Sequence, residues 1–247
     1  MSLSYNGIEL QSITYNGADV QTVTYNGVEV WSARPPFLVR MRYDANEASH
    51  VKDIAGIFSI ASSNGVVPNV ADPFGGNNAL DLSSLYLMVK GAAAINSNKL
   101  TVATWVNLSS SPTKSNVLMA GQPANVWHKQ IYFKGLKACT THDSDLYDSY
   151  GGVCTPNALS ANVWHFVEIS YDNSLVRIFV DGQLKISQTD DRLASVEMKN
   201  ANQDLFIGTY VWTRNDYLNH LKGHIYDFCI LNGIWHTENY NVPTAYI

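Results

Sequence analysis

Two stretches of the sequence combine aromatic rings with short polar side chains in a way that suits sugar recognition. Residues 142–152 read HDSDLYDSYGG and set Tyr147 and Tyr150 among Asp143, Asp145 and Asp148. Residues 210–219 read YVWTRNDYLN and gather Tyr210, Trp212, Arg214, Asn215, Asp216 and Tyr217. Aromatic faces stack on the apolar C–H surface of a pyranose, while Asn, Asp and Arg supply directional hydrogen bonds. Trp127 in ANVWHK is a third candidate of the same kind. For any one of these aromatics the competing role is packing at the rim of a fold.

Hydrolysis of a glycosidic bond asks for more, namely two carboxylates facing each other across the scissile bond. Asp143, Asp145 and Asp148 sit among loop formers, which hold catalytic geometry poorly without support. Glu168 is a lone strand carboxylate, and a neighbouring Arg177 would favour its charged form and unsuit it as an acid. His128, His165 and His236 each follow a tryptophan, yet no G-x-S-x-G element accompanies them. The expectation is binding without catalysis.

The elements that would carry these loops are strands. From Phe37 onward, runs such as FLVRMRYD, KLTVATWVNL, VWHFVEISYD, LVRIFVDGQL and HIYDFCIL alternate with Gly, Asn, Asp and Pro clusters, and no amphipathic helix stands out. Ten or so such runs predict an all-β fold, an antiparallel sandwich of two sheets. One hairpin is legible at side-chain level. A turn over Asp172, Asn173, Ser174 and Leu175 would pair Tyr171 with Val176. One face would then carry His165, Val167, Ile169 and Tyr171 opposite Val176, Ile178 and Val180. The other would carry Trp164, Phe166, Glu168 and Ser170 opposite Arg177, Phe179 and Asp181, with Glu168 beside Arg177 and Phe179. Such a mixed face is either covered by loops or forms a concave side.

Cys229 lies in an apolar run and reads as a buried thiol. Cys139 and Cys154 bracket a polar stretch and are candidate cross-strand neighbours, although assembly in a cytoplasm would keep them reduced. No CxxC pair or His/Cys cluster suggests zinc.

Ahead of the strands, Tyr-Asn-Gly recurs at 5–7, 15–17 and 25–27. Asn-Gly between β-prone residues is a strong hairpin signal, because a type I′ turn needs positive φ at both central positions. The apolar parity flips between successive turns, at 10–13 and again at 21–22, so no regular strand keeps both halves on one face. About thirty residues cannot enclose a core alone. Residues 1–33 therefore read as an attachment or oligomerisation module, and Arg34-Pro35-Pro36 marks its boundary with a second domain, 34–247. The net charge of −5 removes any phosphate-binding footprint, so nucleic acid is not an expected partner. No apolar run is long enough for a membrane span, and the start lacks the pattern of an export signal.

The run VWHFVEISYDNSLVRIFVDGQL resembles the strand–turn–strand signature of laminin-G-like, concanavalin A-like lectin domains. FGGNNALDL, KLTVATWVNL and LKGHIYDFCILNGIWHTENYNVPT follow in the family's order, the last in the form found among tailed-bacteriophage tail proteins. The resemblance spans 37 to about 245 and implies a jelly-roll sandwich. It places a structural calcium near the first and last strands, at Asp44 and Asp227, and YNG repeats ahead of such a domain resemble phage tail and fibre proteins. It implies a virion adhesin, assembled in the host cytoplasm, that binds host-surface glycan, contacts other virion proteins through residues 1–33 and forms a homo-oligomer. The alternative is a structural virion component whose sandwich binds protein neighbours. The E-x-D-x-E strand motif of glucanases on this fold is missing from the chain.

Overall fold

The computed structural model describes residues 35, 37–63, 65–92, 95, 97–109, 116–121, 130–141, 152–194, 204–213, 216–218 and 220–242, and six short strands within residues 4–32; in 4–32 and 210–218 the description is of backbone pairing alone. Among the described residues the regular structure is β, apart from a 3-10 turn at Asp191–Leu193. No helix among them is long and apolar enough to cross a membrane.

Two antiparallel sheets form the sandwich. The nine-stranded sheet runs Asn69–Val70, Ala79–Asp81, Gly223–Leu231, Lys99–Leu108, Trp164–Asp172, Leu175–Val180 and Gln183–Thr189, with Phe37–Tyr43 pairing both Gly223–Leu231 and Val51–Asp53. The seven-stranded sheet runs Val153–Cys154, Lys137–Thr141, Gln130–Lys134, Asn116–Gly121, Leu205–Ile207, Leu87–Lys90 and Ser59–Ser62. Alternation along each strand sends one set of side chains between the sheets. That interior holds Val102, Val106, Ile131, Phe133, Ile207, Ile225 and Phe228 in one continuous core.

The hairpin from Trp164 to Val180 has the register that its sequence predicts, with Tyr171 opposite Val176 and Asp172 opposite Leu175. Val167, Ile169, Tyr171, Val176, Ile178 and Val180 all enter the core. His165 leaves it, with Nδ1 2.7 Å from Asp181 Oδ2 and Nε2 accepting from the Ser160 amide. Phe179 stands opposite Glu168 and Arg177 opposite Ser170, as that register requires, but the partner of the Glu168 carboxylate is corrected: it is 2.7 Å from His236 Nδ1.

His236 reaches Glu168 because residues 233–242 fold back over part of the outer face of the nine-stranded sheet. Thr101 Oγ1 donates to Gly233 O and accepts from the Trp235 amide, and the Tyr240 amide donates to Gly182 O. The His236 ring lies flat on Tyr240, centroids 3.5 Å apart, and Phe166, Phe179, Cys229 and Leu231 form the apolar floor. The mixed face is thus covered, but only over this half.

Cys139 and Cys154 occupy opposed positions on neighbouring strands and are joined by a disulfide, so the expectation of reduced thiols does not describe this structure. Cys229 is buried, as expected. In the N-terminal segment each Asn-Gly sits between paired strands, with Tyr5 opposite Ile8, Tyr15 opposite Ala18 and Tyr25 opposite Val28. The described strands Ala18–Asp19 and Thr22–Tyr25 pair with different partners, on either side of the change in apolar parity.

Candidate functional site

Register fixes which loops share an end of the sandwich. In the seven-stranded sheet Gly121 pairs with Leu205, Gln130 with Thr141 and Thr140 with Val153. Gly121, Gln130, Thr141, Val153 and Leu205, the strand ends that flank 122–129 and 142–151 and follow Asp204, therefore share one end. The disulfide ties the base of 142–151. At the opposite end lie Asn116 and the turn joining Lys134 to Lys137. The chain passes Gly208, whose amide donates to Leu118 O, forms the hairpin Tyr210–Thr213 with Asp216–Leu218, and returns at Leu221, whose amide donates to Gly208 O.

This second end is shared with the nine-stranded sheet. Gly223 pairs with Leu108, the Lys222 amide donates to Asn116 Oδ1, and the Leu159 amide donates to Leu136 O. The chain enters the sandwich at the other end, where Pro35 abuts Gly233 and Phe37 pairs with Leu231. Anchors of the two sequence-predicted loops thus lie at opposite ends of the molecule. The strand ends that flank 122–129 and 142–151 are on the entry side, and the hairpin is on the far side. The side chains of Trp127, Asp145, Tyr147, Asp148, Tyr150, Tyr210, Trp212, Arg214, Asn215, Asp216 and Tyr217 lie outside the described residues. At the hairpin base the His220 ring stacks beside Tyr86, and burial together with Lys222 pushes its pKa down, which keeps it neutral at physiological pH.

Toward the same far end the outer face of the nine-stranded sheet is free of residues 233–242. A row crosses four strands there: Asp81 opposite His224, His224 opposite Asn107, and Asn107 opposite Trp164. His224 Nε2 is 3.8 Å from Asp81 Oδ1, and the Trp164 and His224 rings approach to 6.4 Å over Asn107. One pleat further along stand Trp105 and Tyr226, capped edge-on by Phe74 at 5.4 and 5.8 Å. Phe74 is held there by Asp72, whose carboxylate accepts from the amides of Phe74, Gly76 and Asn78. Burial pushes the Asp72 carboxyl up, but these donors and the Asn78 side chain outweigh it and hold it below the usual range. Sequence reading put Trp164 on the mixed face but could not find this row, because its members are far apart in the chain and only register unites them.

The two residues expected to hold calcium face cationic partners. Asp227 sits with φ +48° at a bulge, and Arg40 grips both its oxygens, Nε to Oδ1 at 2.9 Å and Nη2 to Oδ2 at 3.0 Å, with Arg42 Nε at 3.6 Å. Asp44 Oδ1 accepts from the backbone and side chain of Asn46, with Lys52 3.9 Å from Oδ2. Calcium asks for six to eight oxygens, and a carboxylate already clamped by one guanidinium beside another does not fit that demand. Among the described residues no group of three His, Cys, Asp or Glu is placed to hold a metal. Glu168, the strand carboxylate, is sealed under residues 233–242 and faces an imidazole rather than a second carboxylate.

Solved structures similar to this chain include toxin binding domains. Domain 4 of AbnA, a GH43 extracellular arabinanase from Geobacillus stearothermophilus solved in complex with arabinotriose, superposes with a TM-score of 0.60 at 17% identity, covering 82% of this chain and 95% of its own. The binding domain of Paraclostridial Mosquitocidal Protein 1 gives 0.59 at 14% identity, covering 85% of this chain and 50% of its own. The botulinum neurotoxin serotype D binding domain gives 0.54 at 14%, covering 85% and 49%. The chain spans about half the length of these toxin domains. None of the curated proteins matches the sequence. Residues 75–234 match the laminin G family described as the Concanavalin A-like lectin/glucanases superfamily. With the two-sheet sandwich and that match over more than half of its length, the chain belongs to the concanavalin A-like lectin/glucanases superfamily.

Proposed function

We propose that the chain is a non-catalytic adhesin that binds host-surface glycan at the end of the sandwich far from its N-terminal segment. The observation that carries this is the polarity of the fold. The chain enters beside Gly233, whereas the hairpin of Tyr210–Thr213 and Asp216–Leu218 projects from the opposite end. A module tethered through residues 1–33 presents that end outward. The arabinotriose complex and the toxin binding domains, which share only the fold, support a recognition role. The YNG repeats and the form of the closing segment, both reminiscent of phage tail proteins, support placing the module in a tailed-phage virion. Copies gathered there would turn weak single-site binding into avidity.

The test is a glycan array probed with the full chain and with Trp212→Ala, each with and without chelator. The proposal expects selective binding that the substitution abolishes. Loss on chelation would assign a cation to the site. No binding by correctly assembled protein would overturn the proposal in favour of a structural virion component.

A further inference from the structure

We infer that Trp164, Asn107, His224 and Asp81 form a second saccharide site, specific for a neutral pyranose, on the outer face of the nine-stranded sheet. The inference extends the proposed glycan binding to a surface that residues 142–152 and 210–219 do not include.

Three observations point to a sugar rather than to packing. First, the row is half-buried in the folded chain, with the His224 and Asp81 side chains 33% and 31% exposed. The continuation of the same face, around Phe166, Phe179 and Cys229, is fully buried by residues 233–242. Among the described residues, the aromatic tail thus covers one half and leaves the other partly exposed. Second, the open half has the composition of a sugar platform. The indole of Trp164 offers an apolar face, its ring tilts 45° to that of His224, and Asn107, His224 and Asp81 line up at strand spacing beside it. An amide, an imidazole and a carboxylate in a row match the alternating donors and acceptors of pyranose hydroxyls. Third, the charge favours a neutral ligand. Asp81 borders the row, and Lys222 directs its ammonium to Ser83 O at 3.0 Å. An anionic sugar would meet the Asp81 carboxylate at the border of the row, a repulsive element that selects against it. Phe74, 40% exposed and standing against Trp105 and Tyr226, forms a wall at one side.

The experiment follows the indole N–H resonances of the six tryptophans in the labelled full chain during titration with arabinotriose, lactose and 3′-sialyllactose. Trp164→Phe and Trp212→Ala assign two of the signals. The inference expects a neutral saccharide to shift the Trp164 signal in both the parent and the Trp212→Ala chain, and the sialylated one to bind at least about tenfold more weakly there. Trp164→Ala should lower the affinity of this site about three- to tenfold, and Trp164→Phe should restore most of it. A response at Trp212 without one at Trp164 would overturn the second site and leave the proposed function standing. A shift at Trp164 that 3′-sialyllactose produces equally would overturn the neutral specificity. Silence at both signals with all three probes would count against both.

Discussion

A buried carboxylate that faces a single imidazole has no solvent in which to place its charge, and this governs Glu168. Its side chain is fully buried and its partner His236 is 8% exposed. The Tyr240 hydroxyl is buried beside them, and burial, reinforced by the Glu168 charge, pushes its pKa well above the usual tyrosine value. Replacing His236 with Ala strands the carboxylate, so the free energy of unfolding should fall by about 3–5 kcal/mol; a urea titration showing a loss below about 1 kcal/mol would contradict the account. The sequence could not reveal this pairing. Glu168 and His236 are 68 positions apart, and the cross-strand rule that suggested Arg177 ranks strand neighbours without seeing a tail fold over them. Asp72 gives a prediction with a definite sign. Its folded pKa lies below the unfolded value of about 3.9, so the stability it contributes is present above that value and is lost as pH falls through the folded pKa. Asp72→Asn should therefore be less stable than the parent at neutral pH, with the difference shrinking toward about pH 2. Denaturant midpoints measured across that range would show it; a constant difference would not fit.

At the scale of elements, the legible part of the fold was the part encoded locally. The hairpin between Trp164 and Val180 follows from alternation and a polar turn, and the strands on either side of each Asn-Gly in the first 32 residues pair with one another. Strand order was not legible, because neighbours such as Lys99–Leu108 and Gly223–Leu231 lie more than a hundred residues apart. The disulfide belongs to the same class. Cys139 and Cys154 are close in sequence, but only the short strand Val153–Cys154 aligns them. Closing a loop of 15 residues removes chain entropy from the unfolded state, so changing both cysteines to Ser should destabilise the sandwich by about 2–4 kcal/mol. Calorimetry would read this as a drop in Tm, and an unchanged Tm would mean that the edge is held by backbone pairing alone. Cleavage of the bond loosens the base of residues 142–151 on the entry side, so glycan binding at the far end should survive reduction.

Across the whole molecule, the proposed function sets attachment and recognition at opposite ends of the sandwich. Residue types in 142–152 and 210–219 carried the expectation of sugar chemistry, but composition cannot place two loops at one end or at two. Register does so for their anchors, setting Thr141 and Val153 beside the chain's entry and the hairpin of Tyr210–Thr213 with Asp216–Leu218 opposite. The same far end carries the row of Asp81, His224, Asn107 and Trp164. A chain held by its first 33 residues would offer these surfaces outward and keep the disulfide-tied loop near the attachment point. The most direct measurement is amide chemical-shift mapping of the labelled full chain against a saccharide selected on the array. The account predicts that shifts cluster at the 210–218 hairpin and the Asn107, Trp164 and His224 row. Shifts confined to residues 122–151 would place recognition at the entry end and contradict it.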